Sequence, residues 1–171
     1  MNGLDAARAR RNLIERLVAK IPGLATYLEH NLVRDVDRLE REHMAHQLDR
    51  ARQSLQRQIA NWSKGGQLQG LDAASSLDKG LDRLANRMRH ADYGAAGLFD
   101  AVKIGQAQLE QIYAFDLDFV GTIDAVVGST ESLGATLDAA AIKLVNAAVE
   151  AADRAFDRRE TVYHDAIKGA R

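Results

Sequence analysis

Glu40, His43 and His46 follow one another at intervals of three. On a helix that spacing sets side chains beside each other on one face, and Glu-x-x-His is the ligand unit that di-iron bundles carry. Such a centre needs a second Glu-x-x-His and two more inward glutamates. The chain supplies neither: Glu160 precedes His164 by four, and His30 and His90 stand apart. Zinc-type and octahedral centres likewise need three or four converging ligands. Glu40, His43 and His46 are therefore weak metal candidates, and a polar stripe on a helix is the plainer expectation. Asp116, Asp118 and Asp124 lie in an otherwise apolar stretch. Paired carboxylates could do acid-base chemistry, but positions 116 and 118 point about 200° apart on a helix. An ion pair between helices, with Arg83, Arg87 or Arg89, is expected instead. Lys64-Gly65-Gly66 lacks the Gly-Lys-Ser/Thr ending of a phosphate loop, and no serine sits in a nucleophile elbow. No cysteine occurs, which excludes disulfides, thiolate metal sites and a cysteine nucleophile. No catalytic residue and no cofactor are expected.

The elements that carry these residues read as helices. Of 171 residues, 46% are apolar and 27% charged, values of an ordinary globular chain, and there is one proline, Pro22. A first helix is expected over about 4–20, with Leu13, Ile14, Leu17 and Val18 on one side and Arg8 and Arg11 between them. Pro22-Gly23 ends it. A second helix is expected from Leu24 to about Trp62. Its apolar series runs Leu28, Leu32, Val36, Leu39, Met44, Leu48, Ala51, Leu55, Ile59 and Trp62, with one irregular step of five, at Met44. A helix of about 38 residues would reach about 57 Å at 1.5 Å per residue, a length that suggests a hairpin or coiled coil. Ser63-Lys64-Gly65-Gly66 reverses the chain. A third helix covers about 71–93, with Asp72 as N-cap. A fourth begins after Gly97, with a short first turn expected at 98–102, and ends near Gly128 or Gly134. A fifth covers about 136–167, with Leu144 among its inward residues. The fold class is all-α: one domain over 1–171, an elongated antiparallel bundle (24–167) carrying a short amphipathic N-terminal helix (1–21).

The most distinctive string is Arg87-Met88-Arg89-His90-Ala91-Asp92-Tyr93-Gly94-Ala95-Ala96-Gly97-Leu98-Phe99-Asp100. Asp92, Tyr93, Gly94, Gly97 and Phe99 read as a helix-to-helix corner, structural first and a docking surface second. The string resembles one found in a family of bacterial helical-bundle proteins without an established activity. The likeness extends loosely over most of the chain, including Ile21-Pro22-Gly23 and Asp157-Arg158-Arg159-Glu160, and it implies a fold and no chemistry.

Charge is unevenly spread, although the net charge is −1. Residues 1–20 hold five basic and two acidic side chains, a balance of +3, and residues 101–171 hold seven and eleven, a balance of −4. There is no broad basic face, so a nucleic-acid partner is not expected. The basic first helix could lie on an anionic membrane surface, in an architecture that resembles the phage-shock and ESCRT-III-like membrane remodellers. Packing against its own bundle, with its more acidic last helix, is the stronger expectation. No apolar run is long enough to span a bilayer, and no secretory leader is expected. The functional expectation is a non-enzymatic, cytoplasmic scaffold or adaptor whose partner is protein, above all a second copy of itself. A peripheral membrane-remodelling or stress protein is the alternative, and a ferritin-like metal-dependent oxidase a weaker one.

Overall fold

The structure is a computed structural model, and it describes residues 3–29, 33–91 and 105–168. Among the described residues it contains six α-helices and no strand: α1 (Gly3–Lys20), α2 (Leu24–Glu29), α3 (Val33–Lys64), α4 (Leu71–His90), α5 (Gln106–Glu131) and α6 (Ala139–Lys168). The chain is all-α, its helices packed antiparallel as a bundle.

Several boundaries differ from the sequence reading. The expected 24–62 helix is described as α2 and α3, and α3 runs on to Lys64. Asp72 does not cap α4: the N-cap is Gly70, with no side-chain cap bond, and Asp72 lies in the first turn, where a carboxylate still faces the positive end of the helix. The corner residues Asp92, Tyr93, Gly94, Gly97 and Phe99 lie outside the described residues, as does the expected turn at 98–102. At α6 the cap is Asp138, whose Oδ1 accepts the amide N–H groups of Ala140 (2.9 Å) and Ala141 (3.1 Å).

The chain divides into two compact units, to both of which α3, α5 and α6 contribute residues. Unit 1 takes residues 1–41, 92–120 and 156–171. In it α1 ends at Lys20, and Gly23, at φ +84°, turns the chain into α2. Leu17, Ile21 and Leu24 are completely buried around that turn. Phe115, Phe119 and Phe156 stack, with ring centroids 6.3 and 6.0 Å apart, a spacing at which aromatic pairs attract. The pairs Asp116–Tyr163 and Phe119–Phe156 show α5 and α6 running antiparallel here.

Unit 2 takes residues 42–91 and 121–155. Its α3 and α4 segments form an antiparallel hairpin. Arg52 joins Asp78 at 2.9 Å and Asp82 at 2.5 Å, and Arg89 joins Asp49. Leu48, Ala51, Leu55 and Trp62 of α3 and Leu77, Leu81, Leu84 and Met88 of α4 are buried. The α3 positions 48–62 therefore have cover within the chain. Helix α6 lies against α4: a Cβ added at Gly80 would stand 3.4 Å from Val149 Cγ1, and Arg87 pairs with Asp153.

The α3–α4 turn depends on Gly66 (φ +76°) and Gly70 (φ +101°), a conformation costly for any residue with a Cβ. At Gly66 a Cβ would meet open space, whereas at Gly70 it would stand 3.2 Å from Ala139 Cβ. Gly70→Ala should therefore lower stability by about 1 kcal/mol or more, and by more than Gly66→Ala. Urea midpoints of the two variants test the difference; equal losses would show that backbone strain alone operates at position 70.

Candidate functional site

The densest polar arrangement among the described side chains is buried in unit 1 rather than open in a cleft. Arg159 of α6 is its centre. Its Nε donates to Asp116 Oδ1 at 2.8 Å, Nη1 to Asp37 Oδ1, and Nη2 to Glu40 Oε2 at 3.0 Å and to the Tyr163 hydroxyl at 2.7 Å. Tyr163 in turn donates to Asp116 Oδ2 at 2.6 Å, so both Asp116 oxygens accept. The guanidinium also lies 4.5 Å from the centroid of the Tyr163 ring. On α3, Arg41 Nε donates to Asp37 Oδ2 at 3.1 Å. One guanidinium therefore gathers carboxylates from α3 and α5 onto α6.

Local sequence explains the gathering. Val36, Glu40, Met44 and Leu48 follow at steps of four and are all buried, so Glu40 occupies a core position of α3. On α6, Ala152, Phe156, Arg159 and Tyr163 follow at steps of four, three and four and are likewise buried. Arg159 thus sits on an apolar helical face. Asp116 stands between buried Ile112, Tyr113 and Leu117 on α5. Three charged residues at core positions of three helices must find one another, because an unpaired buried charge is far more costly than a paired one.

Burial sets the protonation chemistry. Glu40 and Asp116 are 0% and 2% exposed. Loss of hydration raises the Glu40 carboxyl well above the usual carboxylate range, with the Asp116 charge adding to the rise and Arg159 opposing it. Asp116 is raised as well: burial pushes it up, while Arg159 and the Tyr163 hydroxyl pull it down. Burial also holds the Tyr163 phenol well above its ordinary value and pushes Tyr113 up to about 12. Both phenols are neutral hydrogen-bonding groups at any physiological pH.

The sequence-predicted metal candidates do not converge. Glu40 belongs to the buried cluster of unit 1. His43, in unit 2, is half-buried, and its Nε2 faces Gln47 Nε2 at 3.0 Å; that Gln47 amide also reaches Asp124 Oδ1 at 3.2 Å. A donated amide hydrogen suits a neutral imidazole, and burial lowers the His43 pKa in the same sense. His46 is exposed. Among the described residues no group of three or more His, Asp or Glu is placed to hold a metal ion.

The ion pair expected for Asp116 exists with another partner. Arg159 takes it, whereas Arg83 and Arg87 lie on Asp153 and Arg89 on Asp49. Asp118 is exposed. On the first helix Arg8 is exposed, Arg11 binds Glu15 at 2.8 Å across a solvated surface, and the apolar side faces inward: Leu17 is fully buried, and Leu13, Ile14 and Val18 are half-buried. No described helix is long and apolar enough to cross a membrane.

A different surface was missed by the sequence reading. Leu144, expected to face inward, is 74% exposed. Ala140, Ala147 and Ala151 are exposed in line with it, at steps of four, three and four along α6. Beside Leu144 a shallow groove of about 930 Å³ runs along the α5–α6 connection, lined by Leu133, Leu137, Val145 and Ala148 among others.

Comparison of the chain with protein-family models, with characterised proteins and with solved structures finds no match.

Proposed function

We propose that the protein is a non-enzymatic helical scaffold that works by helix-to-helix association, and that its partner is a second copy of itself, in a cytoplasmic setting. The observation that carries this is the exposed line Ala140, Leu144, Ala147 and Ala151 on α6, whose spacing is that of a coiled-coil seam. Alanines at three of its four places allow a second helix to approach closely. The flanking charges favour a particular pairing. Lys143 and Glu150 are exposed beside the seam, and Asp138 and Arg154 stand beyond its ends. If two copies of α6 cross antiparallel about a two-fold axis, Leu144 lies over Ala147 of the second copy. Lys143 then faces Glu150 of that copy. A two-fold interface repeats each contact twice.

Two further features support a non-enzymatic reading. The carboxylates with perturbed protonation, Glu40 and Asp116, are enclosed and both bonded to Arg159, out of a substrate's reach. The apolar side of α1, which a membrane-binding helix would present, is turned into unit 1. The resemblance of the 92–100 string to bacterial helical-bundle proteins adds a fold to this reading and no activity.

Sedimentation equilibrium of the full chain at micromolar concentration should show a species of twice 18.7 kDa that dissociates on dilution. Leu144→Glu, at an exposed site, should leave the helical signal intact and weaken association about tenfold or more. Lys143→Glu should weaken it less, and adding Glu150→Lys should restore it. A wild type that stays at 18.7 kDa at every concentration would end the self-association proposal.

A further inference from the structure

We propose that Glu40 is held as a neutral carboxylic acid in the folded chain, its proton donated to Asp116, so that the buried cluster of unit 1 is a proton-binding site that ties folding to pH. The geometry requires a donor that no described side chain supplies. Glu40 Oε2 accepts from Arg159, but Oε1 is buried with no hydrogen-bond partner among the described residues. A buried acceptor left unmatched is costly. Glu40 and Asp116 are held by the same guanidinium, Arg159 donating to one oxygen of each, and both Asp116 oxygens already accept hydrogen bonds from Arg159 and Tyr163. Asp116 is therefore the better-stabilised anion, and Glu40 is the partner that carries the proton. The contact between two carboxyls then becomes a donated hydrogen bond instead of a repulsion.

Charge balance points the same way. The described groups acting on Glu40 are Asp37 on its own helix, Tyr113 and Asp116 on α5, and Arg159 and Tyr163 on α6; Arg41 is bonded to Asp37, and the charge of Arg10 of α1 acts on the Tyr113 phenol. Arg159 and Arg41 supply two positive charges to the buried cluster, and Asp37, Glu40 and Asp116 would supply three negative ones. With Glu40 neutral, one anion fewer is buried around Arg159, and each unmatched charge in a medium of low polarity is costly.

The linkage has a definite sign. The Glu40 pKa is higher in the folded chain than in the unfolded one. The stabilisation from its bound proton is complete below the unfolded value and is lost as pH rises toward the folded value. Glu40→Gln copies the protonated acid: its carbonyl can accept from Arg159 and its amide can donate to Asp116, with no proton to lose.

The test is urea unfolding of the full-length wild type and E40Q from about pH 5 to about pH 8. The two should have similar stability at the acid end. The ratio of their unfolding constants, wild type over E40Q, should then climb by up to about tenfold per pH unit, so that E40Q is the more stable protein at neutral pH. Infrared spectra in deuterated buffer at neutral pH should show a protonated-carboxyl carbonyl band in the wild type that E40Q lacks. A pH-independent ratio, an absent acid band in the wild type, or an E40Q that is destabilised or unfolded at neutral pH would each overturn the proposal.

Discussion

Arg159→Met should lower the stability of the protein by about 3–5 kcal/mol, the usual consequence of removing one partner from a buried ionic cluster. The side chain is 6% exposed and donates to Asp37, Glu40, Asp116 and Tyr163. Methionine preserves much of the volume, so the loss is electrostatic rather than a cavity. Asp116 loses the donor to its Oδ1 and keeps the bond from Tyr163, and Asp37 keeps Arg41. Arg159→Lys retains the charge, but a single ammonium cannot match the fork that spans α3 and α5, and it should fall between wild type and Arg159→Met. The deficit should shrink as pH falls, because the stranded carboxyls can then take up protons. Urea unfolding followed by the helical circular dichroism signal measures all three; a loss below about 1 kcal/mol for Arg159→Met would mean that water reaches the cluster and screens it.

Trp62→Ala should cost about as much, ~3–5 kcal/mol, through a cavity in unit 2. The indole is 1% exposed, and its Nε1 donates to the Gly134 carbonyl at 3.2 Å. Truncation removes the largest buried side chain of that unit and leaves the Gly134 oxygen without its donor. Trp62→Phe separates the contributions. It keeps most of the packing and drops the hydrogen bond, whose net worth is about 1 kcal/mol. Thermal or urea unfolding of both variants should rank them wild type, Phe, Ala. Equal losses for Phe and Ala would assign the role of Trp62 to its hydrogen bond rather than to its bulk.

The all-helical class, the break at Pro22-Gly23 and the reversal at Gly65-Gly66 were legible in the sequence because each rests on local backbone chemistry. The buried cluster left a fainter trace. The irregular step of five from Leu39 to Met44 marks the place of Glu40: the buried sequence of α3 is Val36, Glu40, Met44, Leu48, with Leu39 only half-buried. A search for apolar periodicity passes over Glu40 because it assigns every charge to the solvated face. Arg159 is hidden in the same way between Phe156 and Tyr163. Opposite charges at core phases of different helices would have been a usable signal, though not their pairing, since nothing local told Asp116 to meet Arg159 rather than Arg87. Leu144 failed for the converse reason. Helix α6 has alanine on every side, so composition does not say which face is inside.

At one end of unit 2 a single side chain bridges two inter-helix connections. Gln67, in the α3–α4 turn, accepts the Leu137 N–H at 2.7 Å and donates to the Ala135 carbonyl at 3.3 Å. Its amide thus pairs with the α5–α6 connection much as a strand pairs with its neighbour. Loops normally open one at a time and independently of the helices they join. Here neither turn can swing outward without breaking the other's hydrogen bonds, and Trp62 anchors the same connection through Gly134. In the language of native-state hydrogen exchange, the two turns form one opening unit. The Leu137 amide, in a connection expected to exchange freely, should share its protection with the end of α3.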